Sequence, residues 1–204
     1  MGETQTNLQN NFYVRQFIGR VFEEFAANLL NGYLVSRRRG ETYQEDDLFP
    51  DLELPEWGAW GEVKATQKGR SFKVHQKQLE KYVAAAALEF PYSKFFYIFI
   101  SYNVREISKT FYCERKLQKE VLDRVVSVSV VEGSFLLGVI RDFPFLVCTK
   151  YVDAGFESFY YLPNPLTPVL LRPDLKSGFH FEERTYHKRK IGVSCYHYRN
   201  WKGG

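Results

Sequence analysis

The chain is poor in the residues that staple small or metal-built folds. It has only three cysteines, Cys113, Cys148 and Cys195, and no CxxC pair among them. An odd, scattered set excludes a disulfide framework and points to a reducing compartment. The four histidines, His75, His180, His187 and His197, show neither an HExxH pattern nor a Cys/His zinc spacing, which removes the common zinc sites. No apolar run approaches the roughly 18 residues that would span a bilayer. The polar opening MGETQTNLQNN lacks the apolar core of a secretory signal. The expectation is a cytoplasmic protein with no membrane partner. Internal repeats and low-complexity linkers are also missing, so the 204 residues read as a single domain, 1–204.

What is present is ordinary in amount and unusual in kind. Hydrophobic residues make up 45% and charged residues 25%, enough to bury a core and too apolar for disorder. Aromatics reach 17%, with 18 Phe and 14 Tyr, which favours a strand-rich interior and also suits stacking on bases. The net charge of +4 is compatible with a polyanionic partner.

Periodicity orders the first half. Residues 12–31 carry Ile18, Phe22, Phe25 and Leu29 on one stripe, and Asn31-Gly32 is a stop, which predicts a helix. YLVS (33–36) predicts the start of a strand and RRRGETYQEDD (37–47) a charged loop. LFPDLEL (48–54) and AWGEVKAT (59–66), joined by the turn PEWG, predict an antiparallel hairpin. VHQKQLEKYVAAAALEF (74–90) reads as a second helix, and FFYIFISY (95–102) as a strand buried on both faces. Further on, 113–124 reads as a helix, 125–131 and 145–152 as strands, and GSFLLGVI is ambiguous between the two. The Pro-rich LPNPLTPVLLRP predicts an extended connection. The fold class is therefore α/β, with a less regular C-terminal part.

The hairpin carries the chemistry. Glu62 and Lys64 project to one face of their strand, with Trp60 beside them, and Asp51 can lie next to Glu62 across the pairing. Two carboxylates that close repel at low dielectric, and a hard divalent cation relieves the conflict. Mg²⁺ takes carboxylate, carbonyl and water oxygens and keeps positions open for phosphate, while an adjacent lysine can orient or deprotonate a water. The bland alternative is an exposed hairpin with a cross-strand ion pair. Glu53 and Glu56 read as surface charges.

Pro50-Asp51, a ten-residue gap, then Glu62-Val63-Lys64 resembles the motif of the PD-(D/E)xK nuclease superfamily, which includes type II restriction endonucleases and Holliday junction resolvases. Gly19 to Glu23 in the first helix is similar to the GxxxE pattern of resolvase-like members, with Glu24 as its competitor. Gln78, with Tyr82 four residues on, stands where several branches place a glutamine. The resemblance spans roughly residues 12–100. It implies a restriction-endonuclease-like core over 12–105, a central mixed β-sheet flanked by helices, with family-specific elements and a basic C-terminal part over 106–204. It further implies Asp51, Glu62, the Val63 carbonyl and Glu23 as ligands of Mg²⁺, for which Mn²⁺ can substitute. Lys64 would position the attacking water, with Gln78 nearby.

The partners implied are double-stranded or branched DNA and a second copy of the chain, since duplex cleavage needs two active sites. Lys68, Arg70, Lys73 and Lys77 lie in a stretch, Lys64 to Lys81, with six Lys/Arg against one Glu. Lys188, Arg189 and Lys190 belong to a tail with no acid from Arg184 onward, which suits either DNA binding or a solubilised edge strand. The expected activity is Mg²⁺-dependent hydrolysis of DNA phosphodiesters, as by a type II restriction endonuclease. The alternatives are a junction resolvase or repair nuclease, and an inactive nucleic-acid-binding protein of the same fold.

Overall fold

The apolar stripe read in the sequence forms helix α1 (Phe12–Leu30), with Ile18, Phe22, Phe25 and Leu29 all buried. It ends where Asn31 adopts a left-handed conformation (φ 53°) and the Gly32 amide reaches back to the Ala27 carbonyl at 2.8 Å. This closing bond is the standard way to satisfy the last carbonyls of a helix. The structure is a computed structural model of the chain. It describes residues 12–35, 50–88, 92–104, 114–142, 147–152, 155–164, 166, 170 and 178–197.

Strand β1 (Tyr33–Leu34) pairs antiparallel with β2 (Leu52–Leu54), and β2 with β3 (Ala59–Gln67). The β2–β3 turn is a single 3₁₀ turn, Pro55–Trp57, closed by Gly58 at φ 57°. β4 (Phe72–His75) leads into α2 (Gln76–Leu88), which carries the chain to β5 (Lys94–Tyr102), parallel to β3. Then follow α3 (Glu114–Asp123), β6 (Val125–Glu132), α4 (Gly133–Asp142), β7 (Val147–Val152), β8 (Gly155–Leu162), β9 (Gly178–Tyr186) and β10 (Arg189–His197). The main sheet has seven strands in the order β1-β2-β3-β5-β6-β10-β9, mixed parallel and antiparallel, and β4-β8-β7 form a second, three-stranded sheet. The fold is α/β, a central mixed sheet flanked by helices.

The main sheet separates two cores. β5 shows how: Phe96, Ile98 and Ile100 face α1 and α3, while Phe95, Tyr97 and Phe99 face α2, α4 and the small sheet. A nearly continuous apolar strand is what burial on both faces requires.

Three departures from the sequence reading have physical causes, and one ambiguous segment, GSFLLGVI, resolves to one of its two alternatives. Val74 and His75 belong to β4, not to the following helix, because Phe72 and Val74 are buried and alternate with exposed Lys73 and His75. GSFLLGVI is helical, in α4, with Phe135, Leu136, Val139 and Ile140 packed inward at helical spacing. Within the Pro-rich connection, the Leu170 amide bonds the Leu166 carbonyl at 3.1 Å, so these two described residues lie closer than an extended chain would place them. GFESFYYL, given no element from sequence, is β8 and pairs with both β4 and β7. Residues 37–47 lie outside the described residues. Among those described, no helix is long and apolar enough to cross a membrane.

Candidate active site

The β2–β3 hairpin brings the predicted acids together at the point where β2 stops. Leu52 pairs with Gly61, so Asp51 is the next residue out, opposite Glu62. Gly61 permits this approach: a Cβ there would stand 2.8 Å from Ile98 Cδ1, 3.2 Å from Leu54 Cδ1 and 3.3 Å from the Leu52 Cβ. Asp51 is fixed at both ends. Its carbonyl accepts the Val35 amide at 3.0 Å, and its Oδ2 accepts the Val63 amide at 2.8 Å. A strand residue's N–H and C=O point to the same side, so the Val63 carbonyl faces the edge that Asp51 occupies, beyond the last β2 pair.

Glu62 and Lys64 project from the other side of β3 from Val63, onto the face covered by α2. Asp51 and Glu62 are only 6% and 5% exposed, which excludes the solvated hairpin. Glu62 accepts from three donors, which leaves its carboxylate acceptor capacity to spare. Lys64 Nζ lies 2.6 Å from its Oε1, Gln78 Nε2 donates to the same oxygen at 3.0 Å, and the Tyr82 hydroxyl donates to Oε2 at 3.3 Å. Gln78 Nε2 also lies 3.4 Å from the Tyr82 hydroxyl, an i, i+4 contact on α2.

Burial pushes the Glu62 carboxyl above its ordinary range; the Lys64 charge and hydrogen bond pull it down, and the Asp51 charge pushes it up again. The hydroxyls of Tyr82 and Tyr97 are driven up as well, first by burial and then by the Glu62 charge. Among the described residues the site holds two buried carboxylates with the Lys64 ammonium hydrogen-bonded to one of them, its side chain 25% exposed. Gln78 Oε1 is buried with no hydrogen-bond partner among the described residues, an acceptor turned into a site already rich in negative charge.

This donor set fits a hard divalent cation: two buried carboxylates and a carbonyl, all oxygen ligands. Among the described residues no group of three or more His, Cys, Asp or Glu side chains is arranged to hold a metal. Any cation here would therefore rest on Asp51 and Glu62 with main-chain and water oxygens. Glu23 is partly buried on α1, whose apolar stripe packs on the opposite face of the sheet from Glu62. It is not among the groups hydrogen-bonded to Glu62.

The predicted cations divide. Lys68 and Arg70 follow directly on β3 and are exposed. Lys77 is exposed on α2, and the Lys73 ammonium sits 3.6 Å over the ring of Phe159. Lys188, Arg189 and Lys190 lie at the β9–β10 turn and the start of β10, three strand spacings from β3 and about 14 Å across the sheet. Two of these three are engaged: Arg189 donates to the carbonyls of Leu122 and Val125, and Lys190 Nζ pairs with Glu183 at 2.9 Å. Lys188 is exposed.

Two residues gain a place that spacing did not give them. Spacing makes Tyr82 only a helical neighbour of Gln78, yet it bonds Glu62 directly. Tyr97 lies beside Glu62 in the β3–β5 register and leaves its buried hydroxyl without a partner among the described residues. Nothing in the apolar run FFYIFISY signals that role, because it exists only through strand pairing. Comparisons with protein-family models, curated proteins and solved structures return no match to this chain.

Proposed function

We propose that the chain is a metal-dependent endonuclease that hydrolyses DNA phosphodiesters, most simply a type II restriction endonuclease. The observation that carries this reading is the buried set of Asp51, Glu62 and Lys64 on two adjoining strands, with Gln78 and Tyr82 closing over it from α2. The order of elements adds support: α1, the antiparallel β1-β2-β3, then α2 crossing to the parallel β5. That order accompanies the PD…ExK resemblance.

Asp51, Glu62 and the Val63 carbonyl would hold Mg²⁺, or Mn²⁺ in its place. When bound, the cation neutralises phosphate charge and acidifies a water. The chain's own groups supply the rest. Lys64 Nζ, the ammonium hydrogen-bonded to Glu62, orients the attacking water and offsets charge building on the phosphate. Gln78 and Tyr82 hold the Glu62 carboxylate in one rotamer, so its oxygens are placed before substrate arrives. Burial between α2 and β3 keeps bulk water from screening these charges.

The test is a substrate panel: supercoiled plasmid, linear duplex and four-way junction DNA, each with Mg²⁺ or EDTA, for wild type and Lys64→Ala. Discrete fragments, lost with EDTA and with Lys64→Ala, are expected. Junction-selective nicking would assign a resolvase, the branch to which the Gly19–Glu23 pattern points. Binding without cleavage in Mg²⁺ or Mn²⁺ would leave only a nucleic-acid-binding protein.

A further inference from the structure

A second basic feature lies away from the acids. The strands β3 and β5 run to one end of the sheet, where the Lys68 amide bonds the Tyr102 carbonyl and the Asn103 amide bonds the Arg124 carbonyl, both at 2.8 Å. Arg189 continues the line by donating to the carbonyl of Val125 at 3.0 Å. Lys68, Arg70, Arg124 and the β9–β10 turn therefore share one rim of the sheet. At its far end a cleft of about 390 Å³ opens between α3 and that turn, lined by the cations Arg115, Lys119 and Arg189, by the acid Asp123, and by Tyr186 and His187 among others.

The charge of this rim is unbalanced. Lys68, Arg70, Arg115, Lys119 and Lys188 are all exposed, and none makes an ion pair with another described residue. The nearby acids are committed: Glu120 lies 2.6 Å from Arg124, and Asp123 lies 3.9 Å from Arg189. Arg189 acts as the floor of the cleft, since its two carbonyl bonds hold its guanidinium in place.

The turn itself is built against its own backbone preference. His187 and Lys188 occupy the two-residue loop of the β9–β10 hairpin, both at positive φ, 44° and 63°. Loops of this kind favour Asn-Gly, and a non-glycine side chain in the left-handed region costs about 1–2 kcal/mol. A chain that puts His and Lys there keeps His187 in the lining of the cleft, and the exposed Lys188 next to it in the chain, at a cost in stability.

We infer that the α3/β9–β10 cleft grips the phosphate backbone of duplex DNA, with Arg115, Lys119 and Lys188 as contacts and Arg189 as their support. The rim from Lys68 to the cleft then forms a track that holds the duplex at a distance from the Asp51–Glu62–Lys64 site. This deepens the nuclease reading and rests on DNA being the ligand. Lys190, tied to Glu183, is not part of it.

Binding is measured without cleavage, by anisotropy of a labelled duplex in Ca²⁺ over a range of salt. Two variants are compared with wild type: Arg115→Ala/Lys119→Ala, and His187→Asn/Lys188→Gly. The second relieves the turn, so thermal melting should show it as stable as wild type or more so. Each should bind about tenfold more weakly, with the slope of log K against log salt reduced by about one per lost contact. Unchanged affinity and slope in both variants would overturn the cleft, as would a wild type that binds no duplex. If wild type binds through these residues yet cuts nothing in Mg²⁺, the nuclease reading fails and the cleft stands. If wild type cuts DNA while both variants bind like wild type, the cleft fails and the nuclease reading stands.

Discussion

Two antiparallel hairpins of the same sheet carry charged residues in alternation, and they treat them oppositely. In β2–β3, Asp51, Glu62 and Lys64 are drawn under α2 into one hydrogen-bonded group, with both acids nearly out of contact with solvent. In β9–β10, at the sheet's edge, Glu182, Glu183, Arg184 and Lys190 settle into local pairs, such as Lys190 with Glu183, both more than half exposed. Exposed pairs of that kind contribute little, whereas buried like charges must be compensated. What separates the two is coverage. A helix lies over Glu62, and β9 ends the sheet.

The largest expected contrast is in cleavage. Glu62→Ala should lower plasmid cleavage by about 10³-fold, the scale of losing a group that acts on the transition state, while Glu183→Ala should leave it within about twofold. Comparable losses in the two would erase the distinction. Glycines come next. Gly61→Ala presses a Cβ onto Ile98, Leu54 and Leu52 in a packed core and should cost about 1–3 kcal/mol in urea unfolding. Gly192→Ala meets only the ring of Phe181, at 3.0 and 3.2 Å. That ring is exposed and can swing away, so the cost should be under about 1 kcal/mol.

Removing the Tyr82 donor is a finer test. Tyr82→Phe should slow cleavage about tenfold through a looser Glu62, about 1.4 kcal/mol, without changing duplex affinity. A loss of affinity with unchanged turnover would instead make Tyr82 a DNA contact. The smallest effects are in stability against pH. Glu62 titrates above its ordinary 4.5 in the folded chain, so folding is favoured below that pH and loses ground as pH rises through the raised value. Glu62→Gln should therefore melt higher than wild type near pH 8, with the gap closing toward pH 4 and narrowing when Mg²⁺ is added. Lys190→Ala, which removes only an exposed surface pair, should leave the melting temperature essentially unchanged at any pH.

The same contrast explains what the sequence could reveal. α1, β3, α2 and β5 were legible because a single face or a continuous apolar run repeats within each element. Asp51, Glu62 and Lys64 were legible because the hairpin turn is local and the spacing is distinctive. Tyr97 was not, since its neighbour Glu62 lies across a β3–β5 pairing that no local pattern encodes. Lys188, Arg189 and Lys190 look alike in sequence, yet one is exposed, one braces two carbonyls and one is paired with an acid. β8 stayed hidden because half of its pairing is with β4, whose partners Phe72–His75 lie far back in the chain from Phe159–Leu162.

The central claim is that the buried acids and Lys64 together cut phosphodiesters. Supercoiled plasmid incubated with Mg²⁺ and either wild type, Lys64→Ala or Lys73→Ala tests it in one gel. The account predicts nicked or linear product from wild type and Lys73→Ala, none from Lys64→Ala, and none from any of them in EDTA. Cleavage by Lys64→Ala at the wild-type rate, or by wild type undiminished in EDTA, would contradict it.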